Sequence, residues 1–268
     1  MKKFMPMILL FLVVFLAGCV GQSGTSGGPG VVVTSFSASS STAEPGTGVS
    51  FYLTVENKGD VDANNVQAEL MGLPQTEWNI PNRVQSIGQL VAPQPSRGMN
   101  QGGVGDISWD LMAPAGKNVD IPYEATVRVT YDYTSSLDAQ ISAVSTDWMK
   151  QKNDKGGIKF QKSSSGPVSI KLIAPSTIIS SGRIPVQFQI TNTGSGGITG
   201  EVLTFSVSGV DCQRTDVRLP KGRTGALYCS IITGGVSTYN VYEIGISTSY
   251  NYYIDQTTSV TVLRKPPS

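Results

Sequence analysis

One pattern constrains this chain more than any other: short runs in which apolar and polar residues alternate, and the runs come twice. Val49, Phe51, Leu53 and Val55 alternate with polar or smaller neighbours, and Ile184, Val186, Phe188 and Ile190 repeat the pattern 135 residues later. A period of two puts one face of a strand inward and the other toward solvent. The run ends in Val55-Glu56-Asn57-Lys58-Gly59 in the first copy and in Ile190-Thr191-Asn192-Thr193-Gly194 in the second. Further on, Tyr123-Glu124 and Tyr131-Asp132-Tyr133 recur as Tyr242-Glu243 and Tyr250-Asn251-Tyr252, now 119 residues apart. The offset falls by 16, so the first copy holds that many extra residues, placed in the turn-rich stretch 92–105 and its flanks. Val66-Ala68-Leu70 and Leu203-Phe205-Val207 add strand candidates, and no long amphipathic helix follows residue 20. Asn-x-Gly and Gly-Ser-Gly-Gly between the runs are expected to make turns with positive φ. Short strands in units of about 100 residues predict an all-β chain, two tandem immunoglobulin-like antiparallel β-sandwich domains. Their expected ranges are 31–148 and 167–264.

Composition narrows the chemistry. Only 15% of the 268 residues are charged and none is histidine. That excludes Ser-His-Asp and Cys-His catalysis, histidine-ligated zinc or haem and a histidine pH switch. The formal net charge is +1, with no basic cluster of the kind nucleic acid requires. Glu124 and Glu243 occupy equivalent places in the repeat, which suits a shared structural role better than catalysis carried twice. Asp60-Val61-Asp62 starts like a calcium loop, but the sixth position is Asn65 and the twelfth is Met71. No enzyme activity, cofactor or metal is expected.

The N-terminus suggests an address. Lys2 and Lys3 precede an apolar run from Phe4 to Phe15, too short for the ~20 residues of a spanning helix but suited to a signal peptide. Leu16-Ala17-Gly18-Cys19 follows at once and resembles the lipobox of prokaryotic lipoproteins. The resemblance implies a signal peptide over 1–18, removed after lipid is attached to Cys19, and a mature protein held at the extracytoplasmic face of the cell membrane. An ordinary signal peptide, or an N-terminal helix left uncleaved, are the alternatives. Residues 19–30, rich in Gly and Ser, read as a flexible tether.

The alternating strand, Asn57-Lys58-Gly59, a polar turn and Val66-Gln67-Ala68 resemble the immunoglobulin-like CARDB-type and NEW3-type modules of prokaryotic, notably archaeal, surface proteins. Trp109-Asp110-Leu111-Met112-Ala113-Pro114 is similar to a stretch met later in such modules, and the second copy lacks it. The resemblance implies a non-catalytic surface role in structure, adhesion or protein interaction, with an envelope protein or a glycan as partner. A filament subunit is a further reading. Cys212 and Cys229 form an even pair once Cys19 is set aside, which in an exported protein points to a disulfide. A redox or metal pair would need CxxC spacing or further ligands. Tyr239, Tyr250, Tyr252 and Tyr253 crowd one region and make a candidate binding surface for sugar or protein. Filling the sandwich core is the competing role, and Tyr252 and Tyr253 must point to opposite faces of any strand. Five lysines between Lys150 and Lys162 read either as a solvated linker or hairpin over 149–166, turning at 153–157, or as a basic contact for anionic lipid or polysaccharide.

Overall fold

The computed structural model describes residues 30–180, 182–220, 223–234 and 238–265. The expected signal peptide, Cys19 and the expected tether up to residue 29 lie outside the described residues. The first repeat contributes β1 (Val31–Ala38), β2 (Thr42–Ala43), β3 (Gly48–Asn57), β4 (Ala63–Met71), a short α1 (Gln75–Trp78), β5 (Val84–Leu90), β6 (Val104–Met112) and β7 (Ile121–Val144). A short helix α2 (Thr146–Lys152) and β8 (Gly157–Ser163) follow. The second repeat supplies β9 (Val168–Ile173), β10 (Arg183–Asn192), β11 (Gly197–Ile198), β12 (Val202–Thr204), β13 (Ser206–Ser208), β14 (Asp211–Cys212), β15 (Asp216–Arg218), β16 (Thr224–Ile232) and β17 (Tyr239–Val262). The fold is all-β and sandwich-like, and its named strands pair antiparallel except where β2 runs parallel to the end of β17; an isolated Val144–Ile179 bridge is also parallel.

The last strand of each repeat is 24 residues long, about 80 Å at the usual strand rise. These two strands, β7 and β17, pair antiparallel along their whole length. They form the spine of an eight-stranded sheet ordered β11-β17-β7-β4-β5, with β2, β8 and β13 along its margins. Alternate residues of β7 from Tyr123 to Ala143 are buried, as are Ile244, Ile246, Tyr250, Tyr252, Ile254, Val260 and Val262 of β17. All of them lie on one face. Over that face sit two smaller sheets, β1-β3-β6 and β14-β16-β10-β9.

Each smaller sheet covers a different half of the spine. β1 and β2 lie against the C-terminal half of β17, and Phe51 of β3 meets Trp78, whose ring meets Tyr123 at the start of β7. β9 lies against the C-terminal half of β7, where the Ser135 hydroxyl donates to the Val168 carbonyl at 2.8 Å. Each lobe therefore takes half a long strand from the other repeat. The ranges 31–148 and 167–264 mark repeats along the chain, while in space each sandwich is completed by both.

The register obeys a two-fold relation. Asp132 pairs with Asn251, Tyr131 with Tyr252 and Tyr133 with Tyr250, although Tyr131 corresponds to Tyr250 in the repeat and Tyr133 to Tyr252. A half-turn about the Asp132–Asn251 pair thus exchanges the repeats, as in an isologous dimer fused into one chain. The Asn251 amide donates to Asp132 Oδ1 at 3.1 Å on that axis.

The segment 149–166 is folded rather than extended. Ser145 caps α2 by accepting the Trp148 N–H, Asn153 ends it in a left-handed conformation, and the chain returns as β8 along β7. The Asn-x-Gly motifs work differently from expectation. Gly59 and Gly194 do not adopt positive φ. They are needed because the hydroxyls of Tyr133 and Tyr252 sit where a Cβ would project. The Val61 N–H donates to the Tyr133 hydroxyl at 3.3 Å, and the Gly196 N–H to that of Tyr252 at 3.0 Å. Asn57 and Asn192, both buried, bridge the same turns: each donates its amide to the carbonyl four residues on and accepts the N–H two residues on. The motif legible in the sequence is a seat for a tyrosine hydroxyl, formed once in each repeat.

Candidate functional site

The tyrosines expected to offer a binding surface divide. Tyr250 and Tyr252 are 7% and 0% exposed and pack with Tyr131 and Tyr133, neighbouring ring centroids lying 5.7–6.4 Å apart. The two-fold register brings two Tyr-x-Tyr pairs onto the covered face at one level, so each pair buries the other. As a binding surface these two residues are ruled out. Their chemistry agrees with a core role: burial pushes the Tyr252 hydroxyl up to about 12 and raises those of Tyr131, Tyr133 and Tyr250 further. Tyr253 lies on the uncovered face, where the Arg128 guanidinium stacks 4.4 Å from its ring centroid and forms a bidentate pair with Asp255 at 2.8 and 2.9 Å. Tyr239 sits at the start of β17 and is 40% exposed.

Cys212 and Cys229 are cross-strand partners on β14 and β16 and form a disulfide. Asp60 and Asp62 act as turn acceptors: Asp60 takes the Ser165 N–H at 2.7 Å and Asp62 the Ala92 N–H at 2.7 Å. Burial raises the Asp60 carboxyl despite that hydrogen bond. Among the described residues no three His, Cys, Asp or Glu side chains come together as a metal site, and no helix is long and apolar enough to cross a membrane.

What the sequence did not single out is the uncovered face of the spine. Along β7 it shows Thr126, Thr130, Asp132, Thr134, Ser136, Asp138 and Gln140, and along β17 Glu243, Gly245, Ser247, Ser249, Asn251 and Tyr253. In the second lobe this polar surface is indented by a notch of about 350 Å³ lined by Asp138, Gln140, Phe160, Ser208, Glu243 and Gly245. Strand register explains the arrangement. Asp138 pairs with Gly245 and Gln140 with Glu243, while β8 sets Phe160 beside Gln140 and β13 sets Ser208 beside Gly245. Gly245, lacking a side chain, leaves the floor open. Ser208 Oγ and Asp138 Oδ1 lie 2.7 and 3.8 Å from where its Cβ would stand. The Phe160 ring, 47% exposed, forms the wall. The one signal in the sequence was a phenylalanine inside the lysine-rich stretch, where a solvated linker has no use for it.

No family model matches the chain, and no curated protein does. Solved structures give distant likenesses. A Porphyromonas gingivalis W83 protein of unknown function is 12% identical, over 76% of this chain and 84% of that one, with a TM-score of 0.22. Escherichia coli alpha-2-macroglobulin activated by porcine elastase is 10% identical, over 83% of this chain and 32% of that one, at 0.23. The Enterococcus faecalis MSCRAMM ACE, which binds its ligands by the collagen hug model, is 7% identical, over 87% and 95%, at 0.18.

Proposed function

We propose that this chain is an exported, lipid-anchored surface protein with a non-catalytic structural or adhesive role, its β body held outside the membrane by lipid on Cys19. The address rests on the Leu16-Ala17-Gly18-Cys19 sequence together with the Cys212–Cys229 bridge, since disulfides persist in oxidising, extracytoplasmic surroundings. The observation that carries the structural role is the shared pair of 24-residue strands. Two lobes that exchange half-strands cannot swing about a linker, so their uncovered face is presented as one continuous surface. A chain without histidine, whose buried tyrosines hold the fold together, suits presentation better than chemistry.

Metabolic labelling with a radiolabelled lipid precursor, followed by membrane fractionation, tests the anchor. Wild-type protein is expected to carry label and to stay with membranes, and Cys19→Ser to lose both. Unlabelled wild-type protein in the soluble fraction would overturn the proposal.

A further inference from the structure

The two-fold relation provides an internal control for the notch. Rotating it onto the first lobe maps Gly245 onto Thr126, Asp138 onto Thr257, Gln140 onto Ser259 and Glu243 onto Glu124. There the same place is filled: Thr126 and Thr257 lie opposite each other, their hydroxyls 3.2 Å apart and hydrogen-bonded. In the second lobe the floor residue is a glycine, the opposing hydroxyl is replaced by a carboxylate, and β8 adds an exposed aromatic wall. Pairing of the two long strands does not require the glycine or the carboxylate, because in the first lobe β7 and β17 pair in the same register without them.

We infer that the notch of Asp138, Gln140, Phe160, Ser208, Glu243 and Gly245 is a saccharide-binding site. Its lining is rich in acceptors: two carboxylates, an amide oxygen and the Ser208 hydroxyl, which itself donates to the Gly245 carbonyl at 3.4 Å, with the Gln140 amide as donor. A polyhydroxylated ring supplies many O–H donors at close spacing, and its C–H face suits the Phe160 ring. A volume of about 350 Å³ has room for a ring of that kind, at the lower end of the range for small-molecule sites. A basic side chain is the competing occupant. The exposed Phe160 wall favours the sugar, since a basic side chain needs only the two carboxylates, and an oligolysine peptide separates the two occupants in the test below. The inference deepens the adhesive role proposed above and rests on it only for its setting at the cell surface.

The test uses the whole protein purified from whichever fraction carries it, with detergent where that is the membrane, and an array of defined mono- to tetrasaccharides, with free glucose, galactose, mannose and N-acetylglucosamine as competitors. One or more saccharides are expected to be retained. Phe160→Ala and Gly245→Thr, the latter installing the residue of the other lobe, are each expected to weaken retention at least tenfold, while Phe160→Tyr keeps it. An unchanged thermal midpoint shows that the variants fold. Retention of no saccharide, or retention indifferent to both substitutions, overturns the inference. So does preferential binding of an oligolysine peptide that is lost in Asp138→Asn but unaffected by Phe160→Ala. Lipid labelling of Cys19 is scored separately, so failure of the anchor leaves the outcome at the notch readable.

Discussion

Exchanged half-strands make a strong prediction about cooperativity. If one lobe unfolded alone, it would strip the covering from Tyr131, Tyr133, Tyr250 and Tyr252 at the waist. At about 1.5–3 kcal/mol for each large apolar side chain, exposing the four costs roughly 6–12 kcal/mol. That is comparable with the 5–15 kcal/mol that typically stabilises a whole domain, so a half-folded chain should not accumulate. Phe188→Ala probes this from the far side. Phe188 is fully buried in the middle of β10, between Leu172 of β9 and Leu227 of β16. Its truncation should cost about 3–5 kcal/mol. Trp78 and Trp109, both buried, lie in the other lobe and report on it alone once Trp148 is replaced by Phe. With a urea slope of about 3 kcal/mol per molar, the tryptophan midpoint should fall by about 1–1.7 M, in step with far-ultraviolet circular dichroism. A tryptophan transition that stays in place, or that separates from the dichroism, would refute one-unit folding.

Two further outcomes are expected. Replacing both Cys212 and Cys229 with Ala removes a bridge closing a loop of 17 residues and should cost about 3 kcal/mol, read as a lower thermal midpoint that reductant no longer changes. At high pH the buried tyrosines should govern stability. Burial, then the hydrogen bond donated to Glu77 at 2.6 Å, pushes the Tyr123 hydroxyl up to about 12, and burial raises that of Tyr252 likewise. A hydroxyl whose folded value exceeds its ordinary 10 contributes stability that is complete below pH 10 and lost as pH rises toward 12. Tyrosinate absorbance from Tyr131, Tyr133 and Tyr250, whose hydroxyls burial raises further still, should therefore appear only together with the loss of dichroism. Ionisation of these residues in a chain that is still folded would contradict the burial described.

The candidate site was harder to read in the sequence than the fold. Alternation at Val49 to Val55 and at Ile184 to Ile190 is a local signal, because a strand with one dry face needs it wherever it lies. The notch is built from β7, β8, β13 and β17, whose residues stand far apart in the chain and gain meaning only when the register sets Asp138 beside Gly245. The tyrosines show the same limit from the other side. Each Tyr-x-Tyr pair alone is consistent with an exposed platform, and only the two-fold crossing of the long strands buries one pair against the other.

Strand alternation, the repeat and the Asn-x-Gly motif are legible along the chain, because each is a property of neighbouring residues. Tertiary structure alone decided that the repeats exchange half-strands, that Gly59 and Gly194 yield to a tyrosine hydroxyl rather than to a turn angle, and that one lobe carries an open notch. The reason is physical. A period of two says which residues face the same way, but it says nothing of which strand lies alongside, and here the pairing of β7 with β17 separates core from surface.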